Sequence, residues 1–299
     1  MTTKQRLAVL GGDARQIAMV HALSTFGYEV FCWGLGECNE AVGSAMVGKC
    51  WDEVVAQSDA IVLPLPFSSD GVRLNCPLEA DAPWPRITAI LDAARGKQVY
   101  GGRLSEEMIA YARERGIVTT DYFQSESLQL RNALPTAEGA IAIAMKELPV
   151  TIDGLCCAVI GYGRIGRLLS QKLKALGATV TVYARRSEIR AEAEVNGHSA
   201  RPLSEENGYS DLRKLPPNCR AIFNTVPVWT LTRDILEEIS KNCVLIDLAS
   251  APGGIDVGAA QELGLRSVWG TALPGKCAPE SAGIILAQTL HELLEIHSV

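Results

Sequence analysis

The chain has 299 residues, 47% of them apolar, and a formal net charge of −6, which is enough apolar material for one large core or two ordinary ones. Its lysines and arginines form no basic block, which argues against a nucleic-acid partner. No apolar run reaches the roughly 18 residues of a membrane span.

From the N-terminus, MTTKQRLAVLGGDARQ has too short an apolar run for a signal peptide and reads as a strand. Apolar, β-branched runs predict strands at 7–10, 29–33, 60–63, 98–100 and 118–120, then at 156–160, 179–183, 221–224, 244–247 and 266–269. Helical patterns lie between them, including 16–26, 87–94, 106–115 and 164–176. Strands alternating with helices imply parallel sheets covered on both faces, and ten strands suit two sheets of about five. The expected fold class is therefore α/β, with two doubly wound parallel-sheet domains. A flavodoxin-like domain is expected over 1–131 and a Rossmann dinucleotide-binding domain over 132–283. TAEGAIAIAMKE, 136–147, predicts a bridging helix that begins at Thr136, just after Pro135. The last segment, 284–299, has the length of a helix that crosses back to the first domain. The nine cysteines are scattered without a C-x-x-C, so reduced thiols in a cytoplasmic protein are expected, and no metal site.

The two halves share one supersecondary pattern. RLAVLGGDARQIAMVHALSTFGYEVFCWG and CCAVIGYGRIGRLLSQKLKALGATVTVYA each read as strand, glycine turn, helix, glycine and strand. Only the second carries G-x-G-x-x-G, in Gly161, Gly163 and Gly166. Gly161 suits the tight turn, Gly163 the close approach of a pyrophosphate, and Gly166 close packing of helix on strand. Tyr162, Arg164 and Ile165 complete this cofactor-binding turn at a helix N-terminus. After the next strand an NAD site usually has an acid for the ribose 2′-hydroxyl. Here Ala184, Arg185, Arg186 and Ser187 stand there, with no acid before Glu188. Two guanidiniums and a hydroxyl suit a 2′-phosphate, so the expected cofactor is NADP rather than NAD. Thr225, Val226 and Pro227 are expected to border the nicotinamide-side ribose, and the small residues of IDLASAPGGID, 246–256, to leave room for the ring.

In the first domain VLGGDARQ lacks the three-glycine fingerprint. Gly12, Asp13, Arg15 and Gln16 there form a candidate carboxylate site at a helix start. Asp13 as a cap with Arg15 on the surface is the alternative. Pro64 and Pro66 stiffen the strand-end loop LPLPFSSD, of which Pro66 is a candidate substrate contact. VYGGRLS, 99–105, is a further loop of this kind. In the loop WGTALPGKCAPESAG, 269–283, Lys276 is a candidate anion ligand and Ser281 a helix-start contact. A structural loop with an exposed lysine is the alternative there. The four histidines, His21, His198, His291 and His297, fall at none of the strand-end loops near the expected nicotinamide. No histidine general base is therefore evident.

The whole chain resembles the two-domain D-2-hydroxyacid and alanine dehydrogenases, and NALPTAEGAI, 132–141, is similar to their inter-domain helix start. It departs from the hydroxyacid enzymes, which carry an arginine where this chain has ASAPGGID and a histidine where it has LPGKCAPESAG. GGDARQ, VLPLP, PTAEGAI, GYGRIG, ARR, IDLASAPGG and LPGKCAPESAG, in this order, resemble the dipicolinate synthase A-subunit family of spore-forming bacteria. The resemblance implies oxidation of a dihydrodipicolinate precursor to dipicolinate. It also implies action in the cytoplasm of a sporulating mother cell, with a flavoprotein-like B-subunit for a partner. Such a reaction makes an aromatic ring, so positioning a small dicarboxylate can matter more than a strong base. On this reading Lys276 and Ser281 are the candidate catalytic residues, clustered with Arg15 and the amides of the Gly11–Gln16 turn. A nucleotide-sensing subunit without its own chemistry and a hydroxy- or amino-acid dehydrogenase remain alternatives. Oligomeric state, including a homo-oligomer, stays open.

Overall fold

The computed structural model describes residues 5–36, 42–79 and 83–297. The chain divides into two compact units, Met1–Asn132 with Ala278–Val299, and Ala133–Cys277.

The first unit begins β1 (Arg6–Leu10), α1 (Ala14–Thr25), β2 (Glu29–Trp33), β3 (Met46–Val47), α2 (Trp51–Gln57) and β4 (Ala60–Val62). It continues α3 (Ile87–Ala93), β5 (Gln98–Gly101), α4 (Glu106–Glu114) and β6 (Val118–Asp121), and then enters α5 (Glu126–Glu147). The strands form one parallel sheet in the order β3-β2-β1-β4-β5-β6, with the strand order reversing between β1 and β4. Side chains alternate across the strands. Leu7, Val9, Val30 and Val62 face a core completed by Met19 and Leu23 of α1, while Ala8, Leu10, Ile61 and Val99 face Val54, Ile90, Leu91 and Met108. Burial on both faces explains why these strands read as continuous apolar runs.

The second unit holds most of α5, then β7 (Cys156–Ile160), α6 (Arg164–Ala175), β8 (Thr179–Ala184), α7 (Ser187–Val195), β9 (Ser199–Pro202) and β10 (Cys219–Asn224). It ends with α8 (Arg233–Leu236), β11 (Val244–Asp247), α9 (Val257–Glu262), β12 (Arg266–Trp269) and α10 (Leu273–Cys277). Its parallel sheet runs β12-β11-β10-β7-β8-β9, with the reversal between β7 and β10. This is the doubly wound α/β architecture expected, present twice. The final helix, α11 (Pro279–His297), belongs to the first unit, where Leu286, Leu290 and Leu294 complete the core over α1. Gly283 makes the helix crossing possible. A Cβ there would lie 2.2 Å from the Arg15 carbonyl oxygen and 2.6 Å from Ala18 Cβ.

Each sheet has six strands rather than about five. The two extra strands lie at sheet edges. Met46–Val47 is two residues long and exposed, and Ser199–Pro202 is short and mostly exposed, so neither carries a buried apolar run. The bridging helix starts ten residues before Thr136, which is therefore not a cap. Ser125 starts it instead: its Oγ accepts from the Leu128 N–H at 3.4 Å and its carbonyl from the Gln129 N–H at 3.0 Å. Pro135 sits inside the helix, a position that costs one backbone hydrogen bond and imitates a helix start in the sequence. The loop expected around Lys276 is partly helical, as α10.

Candidate functional site

The glycine turn after β7 lies at the carboxyl end of the strand, at the reversal point where doubly wound sheets bind ligands. The Gly161 N–H donates to Tyr183 O at 2.8 Å, and Thr225 donates to Ile160 O through both its amide and its hydroxyl, each at 2.9 Å. Gly161 has φ +91°, and a Cβ there would meet Thr225 Oγ1 at 2.4 Å and Val226 at 2.8 Å. A Cβ on Gly166 would come within 2.2 Å of the Gly161 carbonyl oxygen. The first and third glycines are thus fixed by packing within the protein. Gly163 is different. It is exposed, nothing lies within 4 Å of its would-be Cβ, and it N-caps α6 with no side-chain cap bond. The helix start presents open backbone and the positive end of a dipole, which fits a pyrophosphate. Val226 borders this turn, and Pro227 is exposed beyond it.

Tyr162 contributes only backbone to this cradle. Its side chain is buried, its hydroxyl accepts from Asn196 Nδ2 at 3.2 Å, and its ring lies edge-on to His198 and beneath the Arg167 guanidinium. His198 is buried with neither ring nitrogen hydrogen-bonded. Burial, followed by the nearby Lys174 charge, lowers its pKa and favours the neutral ring. Arg164 is exposed and Ile165 half-buried at the first turn of α6.

Beyond β8, Arg190 Nη1 donates to the carbonyls of Ala184 at 3.0 Å and Arg185 at 2.6 Å. This fixes the loop backbone, buries Ala184 and leaves Arg185, Arg186 and Ser187 exposed. Arg186 lies 3.4 Å from Glu188, a solvent-exposed pair of little strength. Arg185 makes no ion pair among the described residues. Two cations at this place suit a phosphate on the ribose 2′ position.

Sequence reasoning missed a buried network at the ends of β10 and β11. Asp247 accepts from Asn224 Nδ2 at 2.8 Å, from the Ala249 N–H at 3.1 Å and from the Gly254 N–H at 2.8 Å. Both side chains are buried, so the network pins the strand-end loop that was expected to border the nicotinamide. The available signal was a polar residue closing each of two apolar strands.

The turn after β1 has the opposite character. The Gly11 N–H donates to Trp33 O at 2.7 Å and the Gly12 N–H to Asn75 O at 2.8 Å. Asp13 and Gln16 form a reciprocal capping box, with the Asp13 N–H donating to Gln16 Oε1 at 3.0 Å. The Arg15 N–H donates to Asp13 Oδ1 at 3.0 Å. These amides were expected to receive a substrate carboxylate; the protein itself occupies them. Asp13 caps the helix, as one alternative had it, but Arg15 is not on the surface. Its side chain is buried rather than on the surface, and it forms a fork with the Asp13 carboxylate at 2.9 and 2.8 Å while also donating to Leu65 O. Pro66, half-buried, accepts from Asn75 Nδ2 at 3.2 Å. Lys276 is exposed on α10 with Thr271 Oγ1 3.5 Å away. Ser281 is exposed in the first turn of α11, two residues before the Gly283 crossing. The structure gathers Gly12, Asp13, Arg15, Gln16 and the Pro66 loop in the first unit, and Gly161–Gly166 with Thr225 and Val226 in the second.

Residues 6–123 match the model of the N-terminal domain of the dipicolinate synthase A-subunit, and residues 136–249 match that of the D-isomer specific 2-hydroxyacid dehydrogenase NAD binding domain. The chain is 30% identical to the dipicolinate synthase A-subunit of Bacillus subtilis, over 98% of this chain and 97% of that protein. The dipicolinate synthase A-subunit of Bacillus halodurans has a crystal structure that superposes with a TM-score of 0.85 at 29% identity, covering 98% of this chain and 99% of the other. For the crystal structure of the Bacillus subtilis protein the TM-score is 0.83 at 27% identity, covering 100% and 98%.

Proposed function

The chain belongs to the dipicolinate synthase A-subunit family and is a nicotinamide-nucleotide-dependent oxidoreductase; on that premise we propose that it oxidises a dihydrodipicolinate precursor to pyridine-2,6-dicarboxylate with NADP⁺. The observation that carries this reading is the open Gly163 turn, followed one strand later by Arg185, Arg186 and Ser187 with no acid before Glu188.

A nicotinamide bound there would supply the acceptor for a hydride from a ring carbon of the substrate. A proton leaves to water, and the ring becomes aromatic, which supplies much of the driving force. The chain's task is then to hold and aim. Gly163 and the α6 N-terminus would take the pyrophosphate, on a turn whose shape Gly161 and Gly166 set by packing. Arg185 and Arg186 take the 2′-phosphate. Thr225 and Val226, packed on Gly161, and the loop pinned by Asp247 shape the nicotinamide end. The reading further includes action in the cytoplasm of a sporulating mother cell, partnered by a flavoprotein-like B-subunit. It draws on the family, and no helix among the described residues is long and apolar enough to cross a membrane.

A second reading, a nucleotide-binding subunit without its own chemistry, draws on the first glycine turn, whose donors are internally satisfied. Turnover separates the two. The chain is mixed with NADP⁺ and freshly generated precursor, with and without the B-subunit, while absorbance is followed at the reduced-nicotinamide and dipicolinate bands. A stoichiometric rise of both with the chain alone is expected. NADP⁺ binding with no reduced nicotinamide in either mixture would favour the second reading.

A further inference from the structure

Arg103 follows β5 at the carboxyl edge of the first sheet, the edge that also carries the Gly11–Gln16 turn. The loops after β4 and β5 are laced together there. The Gly102 N–H donates to Pro64 O at 3.1 Å and the Phe67 N–H to Gly102 O at 2.9 Å, while Leu65 O in the same segment accepts from Arg15. Arg103 is therefore the chain neighbour of the residue that ties down the Arg15 segment.

Three observations set Arg103 apart. Its backbone is left-handed, at φ +58°, a conformation disfavoured for a long side chain. Asp121 holds it there, accepting from the Arg103, Leu104 and Phe123 N–H groups at 3.0, 3.0 and 2.9 Å. The side chain is exposed, yet its guanidinium lies 4.9 Å from the centroid of the Phe123 ring. A guanidinium attracted to a ring face is held near it while its N–H groups stay free of acidic partners, which suits a carboxylate fork. Finally, it makes no ion pair among the described residues, whereas Arg15 is neutralised by Asp13. A left-handed position is cheapest as glycine, and this one follows two glycines. Keeping arginine there is a local cost that a ligand contact would offset.

We propose that Arg103 anchors one carboxylate of the dicarboxylate substrate. The proposal rests on the oxidative reading above, which requires this chain to hold a dianion, and it moves the main cationic contact of the first unit from Arg15 to Arg103.

The test titrates pyridine-2,6-dicarboxylate and pyridine-2-carboxylate into the NADP⁺-loaded full chain by calorimetry. Wild type is compared with Arg103→Gly, which relieves the backbone, and Arg103→Lys, which keeps charge but not the fork. Wild type is expected to prefer the dicarboxylate. Arg103→Gly should bind it at least tenfold more weakly and lose the preference, Arg103→Lys should be intermediate, and NADP⁺ affinity and Tm should not fall. If Arg103→Gly binds the dicarboxylate within twofold of wild type, the assignment of Arg103 is overturned while the reaction stands. If wild type itself shows no preference for the dicarboxylate, the Arg103 proposal and the dicarboxylate reading both fall.

Discussion

The two glycine turns are built on the same strand–turn–helix unit and end in opposite states. In the first, Asp13 and Gln16 close a capping box, Gly11 and Gly12 donate to Trp33 and Asn75, and Arg15 is forked onto Asp13. In the second, Gly163 stands at the cap with no side-chain bond and open space around it. The orphan donors of a helix start must be satisfied by something. Where the chain supplies its own acceptors the turn is closed, and where it withholds them the turn is left open to a ligand. Topology alone does not make the distinction, since both turns lie at the carboxyl end of the first strand of a doubly wound sheet.

Substitutions that close the open turn or open the closed one sharpen this contrast. The largest effect is expected from Gly166→Ala, whose Cβ would have to displace the backbone oxygen of Gly161 at 2.2 Å. Thermal unfolding should show a loss of about 2–4 kcal/mol, and NADP⁺ binding should fall with it. Asp13→Ala removes a cap and leaves the buried Arg15 without its acid. A loss of about 2 kcal/mol is expected, with NADP⁺ affinity unchanged; a weakened affinity would mean that the first turn also serves the nucleotide. Gly163→Ala meets nothing within 4 Å and has an ordinary φ of −85°. Stability should hold within about 0.5 kcal/mol while NADP⁺ binds roughly tenfold more weakly, a cost of about 1.4 kcal/mol. Unchanged affinity would show that the pyrophosphate does not approach Gly163.

The smallest effect concerns pH. His198, packed behind Tyr162, has a lowered pKa in the folded chain. Above the unfolded value near 6.5 it contributes no pH dependence. As pH falls through that value the unfolded chain takes up the proton first, so stability drops, and it levels off below the folded pKa. Tm measured from pH 7.5 down to 5 should fall less steeply in His198→Phe than in wild type.

The central strands and the second glycine turn were legible in the sequence because burial on both faces leaves unbroken apolar runs and because, of three glycines at fixed spacing, Gly161 and Gly166 answer steric demands while Gly163 leaves open space. Two of the edge strands were not, since Met46–Val47 and Ser199–Pro202 have little to bury. The start of α5 was hidden by Pro135, which has the look of a helix start although Ser125 provides the cap. The closed state of the first turn was partly legible, because Asp13 followed by Gln16 three residues later has the spacing of a capping box. The burial of Arg15 against the Leu65 carbonyl and the left-handed Arg103 on Phe123 depend on contacts between loops and left no trace in local pattern.

The most direct measurement is a titration of NADP⁺ and NAD⁺ into the wild-type chain and into a variant carrying Arg185→Ala and Arg186→Ala. NADP⁺ should bind wild type at least tenfold more tightly than NAD⁺, and the double variant should lose that preference while its NAD⁺ affinity stays the same. Equal or tighter binding of NAD⁺ by wild type, or a preference that survives both substitutions, would contradict the assignment of the 2′-phosphate to this loop.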